Sequence, residues 1–281
     1  MDGILLINKP IGWTSRDVVN KLTKKFNTKK IGHTGTLDPF ASGLLIVTVG
    51  KATKISSYLE GLDKEYIAEL TLGKNTTTLD LDGEVIEEFK VDLPLDKTRI
   101  DEVINKYIGE IYQTPPMYSA LKVDGEALYK KARRGEIVER KKRKVCIHSI
   151  NVLSIENEKI MMNVKCSKGT YIRTLGNDIG NDLQLGGYLS LLTRIKVGKY
   201  EIKDAKSIEE ISENDLISIE EALSYLPKLI VDGALEKMVS NGVSLFLKAP
   251  DFVYIESKSG EAIALYKKEE DGKHHCLRGL K

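Results

Sequence analysis

Hydrophobic positions along the chain change period several times, and each change predicts an element. GILLI (3–7) is a short apolar run that reads as a buried strand. NKPIGWTS then turns the chain. Thr14 with Asp17 has the T-x-x-D spacing of a capping box, which predicts a helix to about Phe26 with Val18, Val19 and Leu22 on its apolar face. GHTGTLDPFASGLL (32–45) is turn-rich and is expected as loop until LLIVTVG (44–50), a buried strand ended by glycine. KATKISSYLEG reads as a short helix. KEYIAELTLG (64–73) alternates, with Tyr66, Ala68, Leu70 and Leu72 on one face, as a half-buried strand does.

Further along, DGEVIEEF opens with a D-G turn signal, and DKTRIDEVINKYIGEI (96–111) is helical in spacing up to its glycine. ALYKKARRGE (127–136) reads as a basic helix. VCIHSINVLSI and KIMMNVKCS read as two strands joined by the polar turn ENEK. GTYIRTLGNDIGNDL (169–183) reads as a helix entered from a glycine turn. Beyond about Leu226 one helix (ALEKMVSNG) is expected among short strands (VSLFL, FVYIE, EAIALYK). Strands and helices interleave too irregularly for a doubly wound parallel sheet, so the fold class is α+β.

The chain has 281 residues, 41% hydrophobic and 30% charged, enough for one large domain or one large plus one small. No apolar run approaches the roughly 18–20 residues of a membrane span. The N-terminus MDGILLINKP lacks the basic region and cleavage site of a signal peptide, so a cytoplasmic protein is expected. Cys146, Cys166 and Cys276 are scattered, with no C-x-x-C, which argues against a disulfide framework or a zinc site. His274 and His275 beside Cys276 read as solvated, and no metal is expected.

Charge changes the picture more by distribution than by total. The net charge is only +2, yet residues 130–144 hold nine Lys or Arg against two Glu, and residues 201–225 hold eight acids against two lysines. The basic run reads either as a solvated helix or as a footprint for phosphates. The acidic stretch marks a boundary before a small β-rich C-terminal domain, which divides the chain into 1–225 and 226–281.

Three segments carry candidate chemistry. The glycines of 32–45 match neither a phosphate loop nor a dinucleotide fingerprint, and they precede a strand rather than a helix. Asp38 there is part of an Asp-Pro turn, or a carboxylate nucleophile or base among His33, Thr34, Thr36 and Ser42. Arg173 in SKGTYIRTL is a snorkelling arginine, or a guanidinium brought to a buried carboxylate or phosphate. QTPPMYSALKVDGEALYKKARRGE (113–136) is a surface excursion, or a nucleic-acid clamp.

Together GILLINKPIGWTSRDVV (3–19), IGHTGTLDPFASGLL (31–45), DKEYIAELTLG (63–73), residues 113–136 and CSKGTYIRTLGNDIG (166–180) resemble, in order, the motifs of the bacterial TruB-type tRNA pseudouridine synthases, which modify uridine 55 of the T-arm. The resemblance implies an α+β catalytic domain on a mixed sheet, a thumb insertion at about 118–145, and a PUA-like RNA-binding domain at the C-terminus. It implies Asp38 as the catalytic nucleophile, Tyr66 stacked on the target base and Arg173 paired with the carboxylate. His33 would lie near the flipped nucleotide, with Leu192 of LTRIKVG under the base. The basic residues Lys130, Lys131, Arg133, Arg134, Arg140, Lys141, Lys142, Arg143 and Lys144 would bind RNA. The reaction imports no group and changes no oxidation state, so no cofactor is expected.

The implied partner is the T-arm stem-loop of tRNA, bound by a monomer with no obligatory protein partner. Two other readings share parts of the pattern. One is a guide-RNA-dependent relative that works within an RNA–protein particle; a chain that starts at its first strand is expected of the stand-alone form instead. The other is an RNA-folding module without catalysis, which would leave the retained candidate residues without a use.

Overall fold

The computed structural model describes residues 1–281. The chain runs β1 (Gly3–Lys9), α1 (Ser15–Lys25), β2 (Ile31–Thr34), β3 (Ser42–Val49), α2 (Ser56–Glu60), β4 (Lys64–Leu72), β5 (Lys74–Thr76) and β6 (Val85–Glu88). It continues through α3 (Lys97–Asn105), β7 (Gly109–Gln113), β8 (Lys122–Val123), β9 (Glu126–Ala127), α4 (Leu128–Arg133), β10 (Arg143–Glu156), β11 (Lys159–Cys166), α5 (Ile172–Asp182), β12 (Gly187–Val197) and β13 (Tyr200–Glu201). The last part is α6 (Ile219–Ala222), β14 (Lys228–Val231), α7 (Gly233–Ser240), β15 (Phe252–Ser257), β16 (Ala262–Lys268) and β17 (His274–Gly279).

The central mixed sheet has the order β1-β3-β12-β4-β11-β10-β7. The β3–β12 pair is parallel and the other neighbours on this path are antiparallel. β1 and β3 carry unbroken apolar runs, residues 4–7 and 44–47, and both faces of these runs are covered. Leu5, Ile7, Leu45 and Val47 join the main core, while Ile4, Leu6, Leu44 and Ile46 join a second core on the opposite face. The capping box forms as expected: Asp17 N–H donates to Thr14 Oγ1 at 3.0 Å, and Thr14 N–H donates to Asp17 Oδ2 at 3.0 Å. Such a cap contributes about 1 kcal/mol. Burial of Val18, Val19 and Leu22 contributes about 1.5–3 kcal/mol per side chain.

Helix α5 approaches the sheet closely because one face is glycine. A Cβ on Gly176 would come within 2.8 Å of the Leu189 side chain, and one on Gly180 within 2.4 Å of the Gly186 carbonyl. This approach sets the depth of Arg173 in the first turn of the helix.

Four local expectations differ from the structure. Ile31–Thr34 is a strand, because its backbone pairs with Val49–Ile46 of β3. The helix expected from residue 96 up to Gly109 ends already at Asn105, and β7 begins at Gly109. The helix of 169–183 starts only at Ile172. VSLFL is not a strand, and only Leu245 bridges to His274. The C-terminal sheet, β14-β15-β16-β17, has its own small core around Val253, Ile263 and Tyr266. Its other face supplies Tyr254, Ala262 and Leu265 to the core beneath β1 and β3. No helix is long and apolar enough to cross a membrane.

Candidate active site

The loop that carries Asp38 leaves the sheet where one edge of β3 is shared. β2 covers Ile46–Val49 of that edge, whereas β12 reaches only Ser42 and Gly43. Gly43 has a φ of +105°, and a Cβ there would lie 2.3 Å from the Arg194 carbonyl oxygen, so the close approach of β12 requires glycine.

Several groups hold the loop's backbone. Ser15 Oγ, at the start of α1, accepts from Leu37 N–H at 2.9 Å and donates to the Leu37 carbonyl at 3.2 Å. The Pro39 carbonyl accepts from Gly12 N–H at 2.8 Å. Ser42 Oγ and Thr193 Oγ1 are 3.0 Å apart. The carboxylate is thereby presented on a fixed backbone, with the Asp38 side chain 31% exposed.

Arg173 meets that carboxylate from α5. Its Nε donates to Asp38 Oδ2 at 2.8 Å and its Nη2 to Oδ1 at 2.9 Å, a two-pronged contact. The same guanidinium donates to the Thr78 carbonyl at 2.7 Å and the Tyr118 carbonyl at 2.8 Å. Asp80 Oδ2 lies 3.4 Å from Nη1. Burial raises the Asp80 carboxyl above its ordinary range, against the opposing effects of its Thr78 hydrogen bond and of Arg173. Asp80 and Ser15 were not among the residues expected from the sequence. Asp80 sits in a short acidic turn that reads as ordinary loop, and Ser15 as a plain helix-start residue.

Tyr66 is buried on β4 in the same core as Leu37, Phe40 and Leu192. Burial pushes its phenol up to about 12, while the Arg194 charge acts in the opposite direction. Leu192 lies opposite Ala68 in the β4–β12 ladder and lines a cleft of about 160 Å³ with Gly12, Pro39, Phe40 and Asp82. His33 is on β2, and its Nδ1 is buried without a hydrogen-bond partner. Burial, and then the Arg194 charge, lower its pKa. The structure thus brings Asp38, Arg173, Tyr66 and Leu192 to one region of the sheet, with His33 on the neighbouring strand.

Three further cations lie beneath this region. Lys9, Lys64 and Arg194 are all buried, and none has a carboxylate within 4.0 Å. Lys9 Nζ donates to the carbonyls of Trp13 at 2.6 Å and Pro10 at 3.0 Å, and burial pushes it down to about 8. Lys64 donates to the Glu60 and Leu62 carbonyls and is likewise pushed down to about 8, by burial first and then by Arg194. A signal for these residues was present in the sequence: Lys64 lies two residues before Tyr66, on the buried phase of an alternating strand.

The basic run divides by its partners. Arg134 is held by both oxygens of Glu126, at 2.7 and 2.8 Å, and by Glu136 at 2.7 Å. Lys144 pairs with Glu110 at 2.9 Å, and Lys131 is 3.9 Å from Asp124. Arg140 donates to the Val138 and Pro115 carbonyls, and Arg133 lies over the Tyr129 ring. Lys130, Lys141, Lys142 and Arg143 have no carboxylate within 4.0 Å. They are the part of the run left to meet an external anion.

Residues 23–172 match the model of the TruB family pseudouridylate synthase N-terminal domain. A tRNA pseudouridine synthase B from Clostridium kluyveri is 49% identical over 249 residues, covering 87% of this chain and 86% of that protein. One from Staphylococcus haemolyticus is 43% identical, covering 97% and 96%. Among solved structures, a Cbf5-Nop10-Gar1 complex contains a similar chain with a TM-score of 0.75 and 26% identity, covering 99% of this chain and 85% of that one.

Proposed function

The chain belongs to the TruB family of pseudouridylate synthases, and on that premise we propose that it isomerises uridine 55 in the T-arm stem-loop of tRNA with Asp38 as its nucleophile. It is an isomerase acting on tRNA, as its relatives' names describe them. The reaction breaks the bond from N1 of uracil to C1′ and forms one from C5 to C1′, with a proton lost at C5 and one gained at N1. Neither an oxidant nor an imported group enters that balance.

The observation that carries the assignment is the two-pronged Arg173–Asp38 contact on a loop held at Leu37 and Pro39. A guanidinium that takes both oxygens fixes the plane of the carboxylate and leaves its outer lone pairs unengaged by Arg173. The target base lies within folded RNA, so it must leave its stack, at a cost of a few kcal/mol. Tyr66 offers a replacement surface, and stacking on an aromatic ring is worth about 1–3 kcal/mol per base. Leu192 forms the apolar floor, and His33 lies beside the nucleotide. Lys130, Lys141, Lys142 and Arg143 grip the phosphates, so binding weakens as salt rises.

The thumb of this reading is residues 118–145, the catalytic domain is 1–225, and 226–281 is a PUA-like RNA-binding domain. The protein works in the cytoplasm as a monomer, without an obligatory protein partner. Identity of 43–49% to the bacterial enzymes, against 26% to the chain of the Cbf5-Nop10-Gar1 complex, supports the stand-alone form.

Purified protein incubated with a bare T-arm hairpin tests the reading. Wild type should form pseudouridine without other proteins. Asp38→Asn should form none while still binding the hairpin. Pseudouridine made by the purified variant would refute the nucleophile assignment.

A further inference from the structure

Arg194 is among the most deeply buried large side chains of the molecule, 1% exposed, and no carboxylate lies within 4.0 Å of it. An uncompensated buried cation is costly. Lys9 and Lys64 lie close enough for their charges to oppose it. A neutral side chain would fill the same volume without that cost, so the guanidinium's specific contacts are the place to look for its use.

Those contacts converge on the site. Arg194 Nε donates to the Leu44 carbonyl at 2.7 Å, and Nη2 donates to the Gly35 carbonyl at 3.1 Å. Gly35 and Leu44 bracket the loop that carries Asp38, so one planar group joins the loop's two ends. Tyr66 lies directly opposite Arg194 in the β4–β12 ladder, and the Arg194 charge favours ionisation of its phenol against the effect of burial.

We propose that Arg194 is a positioning residue of the isomerisation, which closes the Asp38 loop at both ends and sets that loop against Tyr66 on the facing strand. It rests on the roles of Asp38 and Tyr66 given above. Lysine keeps the charge, but its single nitrogen cannot occupy both the Nε and the Nη2 positions that reach the two carbonyls.

Single-turnover conversion of the T-arm hairpin by Arg194→Lys, Arg194→Met, Tyr66→Phe and the double variants tests it. The rate of Arg194→Lys should fall about 100-fold, as expected when reacting groups are displaced by about 1 Å. Hairpin affinity should stay within about 3-fold of wild type, because Arg194 is too deeply buried to touch RNA. Tyr66→Phe should cost much less in the Arg194→Lys background than in wild type, since groups that act as a unit are not additive. An Arg194→Lys rate within about 3-fold of wild type overturns the proposal, and so do losses that simply multiply. A loss of hairpin affinity as large as the loss of rate also overturns it, in favour of a scaffolding role. Should Arg194→Met fail to fold, Arg194→Lys carries the test alone. Asp38→Asn is run beside them: if it is inactive while Arg194→Lys is fully active, only the Arg194 inference fails, and if it is active, the proposed function itself fails.

Discussion

Arg173 and Asp38, 135 residues apart in the chain, meet through two parallel hydrogen bonds of 2.8 and 2.9 Å. The remaining donors of the guanidinium go to protein carbonyls at Thr78 and Tyr118, and Asp80 stands behind it. Arg173 therefore does two things at once. It orients the carboxylate, and it ties α5 to two loops on either side of the cleft.

Arg173→Lys separates those two effects. A single ammonium cannot hold both carboxylate oxygens, so single-turnover isomerisation should fall about 100-fold with hairpin affinity little changed. Loss of the hydrogen bonds to the part-buried Thr78 and Tyr118 carbonyls should lower stability by about 0.5–1.5 kcal/mol each. Rate assays and denaturant melts read the two separately. A variant with a wild-type rate would show that orientation by Arg173 is dispensable.

The thumb charges should act on binding and not on chemistry. Neutralising Lys130, Lys141, Lys142 and Arg143 together should reduce the slope of log affinity against log salt by about 0.7–0.9 per lost phosphate contact. Arg134→Ala should leave the slope nearly unchanged and instead loosen the β8–β9 hairpin, because its guanidinium is already taken by Glu126 and Glu136. Titrations at several salt concentrations distinguish the groups. Equal slopes for the fourfold variant and wild type would count against a phosphate clamp.

Asp178 makes stability depend on pH. It is half-buried on α5, where burial first, and then the Asp182 charge, raise its carboxyl from 3.8 to about 6 against the opposing pull of Lys142. A raised folded-state pKa means that the folded protein holds this proton more tightly than the unfolded chain does. The contribution is fully present below about pH 3.8 and is lost as pH rises through about 6. Asp178→Asn cannot ionise, so its Tm should exceed that of wild type at about pH 7.5, and the gain should vanish near pH 4. Thermal unfolding at the two pH values checks this, and the same gain at both would rule out the titration of Asp178 as its source.

Sequence by itself determined what depends on neighbours in the chain. The unbroken apolar runs of β1 and β3 announced strands covered on both faces. Thr14 and Asp17 announced the start of α1, and alternation in KEYIAEL placed Tyr66 on the inner face of β4. Motif resemblance added the pairing of Arg173 with Asp38, which no local pattern contains.

Tertiary structure decided the rest, because hydrogen-bonding groups are satisfied by whatever the fold brings near. Ile31–Thr34, which opens a turn-rich stretch, is a strand only because the edge of β3 is open to it. Asp80 joins the site only because Arg173 arrives from α5. Arg194 stands in LTRIKVG, a run in which only Leu192 was singled out from the sequence. It is buried with the carbonyls of Leu44 and Gly35, 150 and 159 residues away in sequence, folded against it to accept its hydrogen bonds. A charge on the inner face of a strand shows in sequence as a break in alternation; which groups neutralise the cost of burying it is written only in three dimensions.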